Sequence, residues 1–201
     1  MSNETESTGA TADATGHEAA LQSLAFISLV ELEKDVFRGG VLVTDAQGKP
    51  LEFRCTSAIQ PTAVQKTLYG GTLNAHMAVE LTARPLLNAV KQEYDAVFVT
   101  QDDFIELRKA IKKPLLVVAK QGATLATQEN AEEPTKSELL ASPSGKFDPV
   151  VLTCHWQHAD DIDQTLPNLG VLFSRFDLIE PFARIGSALT LLHEKGAVPN
   201  K

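Results

Sequence analysis

The segment from residue 36 to residue 71, VFRGGVLVTDAQGKPLEFRCTSAIQPTAVQKTLYGG, decides the fold of this chain. It predicts two extended runs, 36–44 and 50–58, joined by the turn-forming stretch 45–48. Polar and apolar residues alternate along the second run, which predicts that one face of that strand is buried. Residues 62–65 have the form of a capping box, so a helix begins there. A hairpin followed by a helix predicts an α/β domain.

Outward from this segment, the preceding residues 24–32 predict a first strand, and the three early strands together form an antiparallel meander. The helix that begins near Thr62 is predicted to bury Val64, Leu68 and Tyr69 and to continue, past the glycines at 70 and 71, to about residue 91. Pro85 predicts a kink or a break within it.

Residues 96–118 contain the clearest pattern in the chain. An apolar strand at 96–99 is followed by a short helix, which we expect Asp102 and Asp103 to cap, and by a second apolar strand at 115–118. A strand, a helix and a strand of these lengths predict a parallel β-α-β unit with both strands buried.

The remaining composition predicts how the chain is divided. Residues 1–20 are rich in Ser, Thr, Gly and acidic residues and are predicted to be a disordered tail, since they cannot bury enough apolar surface. Residues 21–122 form the α/β core, 123–147 a flexible linker, and 148–201 a strand and C-terminal helices that complete the same core.

Charge and cysteine content limit the function only weakly. The net charge is −8, but residues 1–20 carry −4 and residues 129–138 carry −3, so the predicted core is nearly neutral. Charge therefore neither favours nor excludes a polyanionic partner. Two cysteines, no secretory signal pattern and no long apolar run lead us to expect a cytoplasmic protein with reduced thiols and no membrane partner.

The strand order, three antiparallel strands followed by two parallel ones, resembles that of an RNase H-like sheet. This resemblance implies carboxylates that converge on two metal ions, with one acid in the middle of the first strand. Here the middle of that strand is Phe26 to Val30, which contains no acid. Asp102 and Asp103 follow a parallel strand, at an edge where ligands commonly bind, so capping and catalysis are both open for them.

The densest group of ligand-type side chains is CHWQHADDID, residues 154–163. Cys154 and His158 would be about 13 Å apart on an extended strand, too far to share one metal ion. A bend at Gln157, or a quartet of these two residues with Cys55 and His76, would be required. We therefore predict packed side chains around Cys154, and neither a cofactor nor a dedicated metal site.

A ligand or partner groove is a further hypothesis. Arg54 lies on the polar face of the predicted third strand and, if covered, has to pair with Glu52 or Glu80. Otherwise it lines a groove beside Thr62 and Tyr69. The candidate groove residues are Arg54, Thr62, Tyr69, Asp102, Asp103 and His158.

No set of acid, base and nucleophile converges in the sequence. We therefore expect a non-catalytic protein-interaction or scaffold module, with a protein partner or a homodimer. Nucleic acid is an unlikely partner on these criteria but is not excluded. The alternative is a metal-dependent hydrolase acting on nucleic acid or phosphoesters through acids near Asp102 and Asp160.

Overall fold

A computed structural model describes residues 21–122 and 136–196. These residues form a seven-stranded mixed sheet of order β3-β2-β1-β4-β5-β7-β6. The strands are β1 (Ser23–Glu33), β2 (Val36–Asp45), β3 (Pro50–Cys55), β4 (Ala96–Val99), β5 (Leu115–Lys120), β6 (Lys136–Leu140) and β7 (Val150–Cys154). The predicted α/β class with an N-terminal meander and a parallel unit is confirmed, because β1 pairs antiparallel with β2 and parallel with β4, and β4 pairs parallel with β5.

The helices lie on both faces of this sheet. They are α1 (Ala63–Tyr69), α2 (Leu73–His76), α3 (Arg84–Ala89), α4 (Asp160–Phe173) and α5 (Glu180–Glu194). A 3-10 turn (Gly70–Thr72) and a π-helical stretch (Met77–Ala83) join α1, α2 and α3 into one helical arm, as the predicted long helix requires. A nine-residue 3-10 helix (Asp102–Ala110) connects β4 to β5, and a 3-10 turn (Trp156–His158) precedes α4.

The hairpin between β2 and β3 follows from local chemistry at its turn. Asp45 Oδ1 accepts hydrogen bonds from the backbone N–H groups of Gln47 and Lys49, both at 2.9 Å. Gly48 has a φ of 78°, a left-handed conformation that glycine adopts without the steric cost that other residues bear. The turn fixes the register of the two strands and therefore which residues of β2 face each side.

Two apolar cores lie on opposite faces of the sheet, and alternate residues of the same strands contribute to each core. On β1, Phe26 belongs to the core under α4 and α5, while Ile27 belongs to the core under the π-helical stretch, α3 and the 3-10 helix after β4. Phe26 stacks on Phe98 of β4, with ring centroids 5.4 Å apart. The C-terminal helices are thus packed on the sheet, as predicted.

The helical arm departs from its predicted burial. Thr62 caps α1 in a complete capping box with Gln65, as the sequence indicates. However, α1 has no buried residue: Val64 is 66% exposed and Leu68 78% exposed. The prediction that this helix buries Val64, Leu68 and Tyr69 is therefore wrong, because the buried residues of the arm begin only at Met77.

Two of the predicted segments, the tail and the linker, lie wholly or partly outside the described residues. The predicted tail, residues 1–20, and residues 123–135 of the predicted linker lie outside the described residues. Within the remaining part of that linker, residues 136–140 form β6, an edge strand paired antiparallel with β7. In the described ranges, no helix has the length and apolar character needed to cross a membrane.

Candidate functional site

The chain bends sharply where β7 ends. His155 follows Cys154 in an extended conformation and its Nδ1 accepts a hydrogen bond from the Gln157 backbone N–H at 3.1 Å. The His158 N–H donates to the His155 carbonyl at 2.8 Å, closing the 3-10 turn. The bend at Gln157 that the sequence left open therefore exists, and it brings His158 back beside the first turn of α4.

Three potential metal ligands meet at this bend. His158, Asp160 and Asp161 each present one ligand atom, and these atoms all lie within 4.8 Å of one another. Asp160 is exposed and accepts a hydrogen bond from the Gln164 amide at 2.8 Å. Imidazole nitrogen and carboxylate oxygen are ligands for zinc and manganese, so the donor set fits a divalent transition metal.

Asp161 has a structural partner as well. It is fully buried, and both of its oxygens accept hydrogen bonds from the Arg108 guanidinium, at 2.6 and 2.9 Å. The Leu115 N–H at the start of β5 donates to the same carboxylate at 3.1 Å. These contacts orient Asp161 and tie α4 to the loop before β5, so His158 and Asp160 are the two more available ligands of the cluster.

His155 is a buried neighbour of this cluster, with its ring centroid 5.7 Å from that of His158, and its Nε2 has no hydrogen-bond partner among the described residues. Its ring is 1% exposed, and because Nδ1 accepts a hydrogen bond, the neutral ring carries its proton on Nε2. Nε2 makes no hydrogen bond in the described structure; the nearest acid is Glu106, whose Oε1 is 3.5 Å away. Burial lowers the pKa of His155 below its ordinary value, so the neutral donor form is favoured.

Glu106 connects this region to a cavity of about 480 Å³ between the helical arm and the 3-10 helix after β4. The Lys109 ammonium, at 2.7 Å, lowers the pKa of Glu106, and His155 acts in the same direction. The walls contain two ion pairs, Glu80 with Arg84 and Glu106 with Lys109, and one aromatic pair. The residues that line the cavity are Tyr69, Thr72, Ala75, His76, Val79, Glu80, Arg84, Glu106, Lys109 and Ala110. The Tyr69 and His76 rings lie 4.5 Å apart, with their planes tilted by 34°.

Asp102 and Asp103 lie at the opposite end of the strands from the metal-ligand cluster. They follow the carboxyl end of β4, whereas the carboxyl end of β7 lies beside the amino end of β5, because Cys154 pairs with Leu116. The acids near Asp102 and those near Asp160 therefore do not converge in one cleft. The N-cap of the 3-10 helix is Gln101, so the two aspartates occupy the first turn rather than the cap, and burial together with Asp102 raises the pKa of Asp103.

The other predicted groove residues are also separated. Arg54 pairs with Glu52 at 2.7 Å, one of the two partners anticipated for it. Glu52 in turn accepts the backbone N–H groups of Lys91 and Gln92, so this pair joins β3 to the end of the helical arm. Thr62 is an exposed helix cap, and of Arg54, Thr62 and Tyr69 only Tyr69 lines the cavity beside Glu106.

The cysteines do not form a ligand set. Cys55 is on β3 and Cys154 is on β7, with four strands between them in the sheet. Burial raises the pKa of both thiols, with Arg38 opposing it at Cys55 and Asp161 adding to it at Cys154. Both thiols are therefore held in the protonated form, which disfavours metal binding and nucleophilic attack.

The comparisons with known proteins bear on the fold. No protein-family model and no curated protein matches the chain. Among solved structures, the chain is similar to the catalytic domain of human endonuclease V, with 15% identity, a TM-score of 0.52, and coverage of 92% of this chain and 89% of that one. A second structure of human endonuclease V matches with 13% identity and a TM-score of 0.50 over 88% of this chain and 87% of that one. The fold is accordingly RNase H-like.

A third match concerns a nucleic-acid complex. Endonuclease V of Ciona intestinalis bound to a 23mer DNA containing an inosine has 12% identity and a TM-score of 0.43, covering 72% of this chain and 76% of that chain. The comparisons overturn two predictions made from the sequence. The prediction of a non-catalytic interaction module is wrong, because the matched structures are nucleic-acid-processing enzymes. The prediction that nucleic acid is an unlikely partner is corrected as well, since the chain shares its fold with the two human endonuclease V structures.

Proposed function

We propose that this protein is a metal-dependent hydrolase that acts on phosphodiester bonds of nucleic acid. The observation that carries the proposal is the cluster of His158, Asp160 and Asp161, whose ligand atoms lie within 4.8 Å of one another on an RNase H-like sheet. Support also comes from the cavity beside Glu106, which is large enough to hold part of a nucleotide.

The residues of the cluster suit different tasks. His158 and Asp160 would hold a divalent metal ion, while Asp161, fixed by Arg108 and Leu115, sets the start of α4 and so the position of Asp160. A bound divalent ion would polarise a phosphoryl oxygen and lower the pKa of a bound water molecule. The buried Nε2–H of His155 lies 3.5 Å from Glu106 Oε1, so it would help to position Glu106 on the wall of the cavity.

Metal binding tests the site directly. We expect the full chain to bind Mn²⁺, observed as loss of the free-ion electron paramagnetic resonance signal, and we expect D160N and H158A to weaken that binding about tenfold or more. The matched control is D163N, because Asp163 is on the same helical turn but pairs with Lys136 outside the cluster. Equal Mn²⁺ affinity in all four proteins would remove this cluster from the proposal.

Cleavage tests the reaction. Labelled single-stranded and duplex DNA and RNA are incubated with the full chain in Mn²⁺, in Mg²⁺ or in chelator. Cleavage that needs the metal, is lost in D160N and H158A and survives in D163N supports the hydrolase. Metal-dependent cleavage that is unchanged in D160N and H158A places the chemistry elsewhere on the chain.

A second candidate, binding of nucleic acid without cleavage, is favoured by one specific observation. The middle of β1, from Phe26 to Val30, contains no carboxylate, and its polar residue, Ser28, is 8% exposed. RNase H-like nucleases need an acid at that point, so the metal chemistry would depend on the cluster beyond β7 alone. Tight binding with no cleavage in any metal would select this second candidate. The cytoplasmic location stays a prediction from the cysteine content.

A further inference from the structure

The only tryptophan of the chain lies next to the candidate cluster. Trp156 is 38% exposed, which is unusual for so large an apolar ring. One face of the indole stacks on His155, with centroids 5.8 Å apart and planes 22° from parallel. Because His155 is buried and hydrogen-bonded to the Gln157 backbone, the indole rests on a fixed support and turns its other side to solvent.

Two lysines lie at the same end of the sheet as Trp156, just before β5 begins. The segment 111–115 is fastened to the start of α4, since Arg108 donates to the Ile111 carbonyl at 2.9 Å and also binds Asp161, to which the Leu115 N–H donates. This segment contains Lys112, which is exposed, and Lys113, which is half-buried. Within the described ranges neither lysine forms an ion pair.

We infer that Trp156 stacks on an unpaired base of single-stranded nucleic acid whose phosphates are contacted by Lys112 and Lys113. Inside a duplex each base is covered on both faces by its neighbours, so a fixed exposed indole stacks on an unpaired base without the cost of separating two base pairs. A strand held there passes beside His158 and Asp160, which are two and four residues further along the chain. The inference rests on the proposed function and specifies the form of its substrate.

The single tryptophan makes the first measurement direct. The full chain is titrated with oligothymidylate in chelator, so that no divalent ion contributes, and tryptophan fluorescence is recorded. We expect saturable quenching, and about tenfold weaker binding when the same oligonucleotide is annealed to its complement. Equal or tighter binding of the duplex overturns the inference.

Variants assign the effect to the residues named. By anisotropy of a labelled oligothymidylate, W156A is expected to bind about tenfold more weakly, while W156F, which keeps an aromatic face, retains most of the affinity. Q157A, at the exposed neighbouring position, is the matched control and binds like the wild type. The double variant K112E/K113E is expected to reduce the slope of log affinity against log salt by about 1.4, since each contact to a single strand contributes about 0.7.

The outcomes separate the inference from the function on which it rests. Wild-type affinity in W156A, with W156F and Q157A also unchanged, overturns the stacking role even when cleavage is observed. Quenching of the wild-type fluorescence, together with loss of affinity in W156A, upholds it even when no metal produces cleavage, in which case only the hydrolase proposal fails. Circular dichroism of W156A and W156F excludes unfolding as the cause of weaker binding.

Discussion

At the scale of single residues, the contact between Asp161 and Arg108 is the strongest link around the candidate site. Asp161 is fully buried and the Arg108 side chain is 12% exposed. D161A leaves the guanidinium and the Leu115 N–H without their acceptor, which is expected to lower the free energy of unfolding by about 3–5 kcal/mol. Urea unfolding measures this, and D163N, at a side chain that is 67% exposed, is expected to change it by less than about 1 kcal/mol. If D161A also loses less than about 1 kcal/mol, the buried ion pair between Asp161 and Arg108 does not stabilise the fold as described.

Gly39 gives a second residue-scale prediction, because β2 and the π-helical stretch approach each other there. A Cβ atom at position 39 would lie 2.1 Å from Thr82 Cγ2. G39A is therefore expected to lower the free energy of unfolding by about 1–3 kcal/mol, and T82A in the same chain to recover part of it. G71A is the control, since a Cβ at position 71 meets nothing within 4 Å. If G39A and G71A are equally stable in urea, the close approach does not exist.

His155 predicts a pH dependence whose sign follows from its burial. Burial lowers the pKa of the ring below its ordinary value of 6.5, with Lys109 and His158 acting in the same direction and Glu106 opposing them. Between the folded pKa and 6.5 the unfolded chain binds more protons than the folded chain. The free energy of unfolding should consequently fall as the pH drops through 6.5 and stop falling, as far as His155 contributes, below the folded pKa.

Comparison of H155Q with the wild type tests this dependence. Urea unfolding across the range from about pH 8 to about pH 5 should show a smaller decrease in H155Q, because the neutral side chain does not titrate. Parallel curves for H155Q and the wild type would show that His155 does not titrate differently on folding.

At the scale of elements, α1 is held by its cap rather than by packing. A helix of seven residues is marginal in isolation, and no residue of α1 is buried. T62A removes the capping bond to the Gln65 N–H, worth about 1 kcal/mol, and the loss should stay local. We expect faster amide exchange in residues 63–69 and a change below about 0.5 kcal/mol in the global free energy of unfolding. T67A, on the same helix away from the cap, should leave the exchange rates unchanged; a large global loss in T62A would mean that α1 supports the core.

The elements that could be predicted from sequence share one property, a strong pattern imposed by burial. The strands β4 and β5 are apolar on both faces, and their bounds begin where the sequence places them, at Ala96 and Leu115. β6 could not be predicted, because an edge strand of sequence KSELL with three exposed residues has no alternating pattern. A helix was predicted over residues 77–83, but its π-helical geometry was not, since the close approach of Thr82 to β2 is a tertiary constraint.

The candidate site was predicted in part for a related reason. The densest ligand-type stretch does contain the cluster, but the turn that brings His158 back toward Asp160 depends on the His155 ring accepting a backbone N–H. Arg108 and Asp161 are 53 residues apart, and Glu106 is likewise remote from His155, so no local pattern links them. The sequence provides the ligand types, and the sheet order decides which of them meet.

At the scale of the whole molecule, one sheet serves two cores, and this makes a prediction about cooperativity. Phe26 and Ile27 are adjacent on β1 but are buried in opposite cores, so neither core can open without disturbing the strand that the other needs. F26A and I27A should each lower the free energy of unfolding by about 2–5 kcal/mol. In both variants, urea transitions followed by Trp156 fluorescence and by far-ultraviolet circular dichroism should still coincide. Separate transitions in either variant would show that the two faces of the sheet unfold independently, and the chain would then have to be treated as two stability units that share a strand.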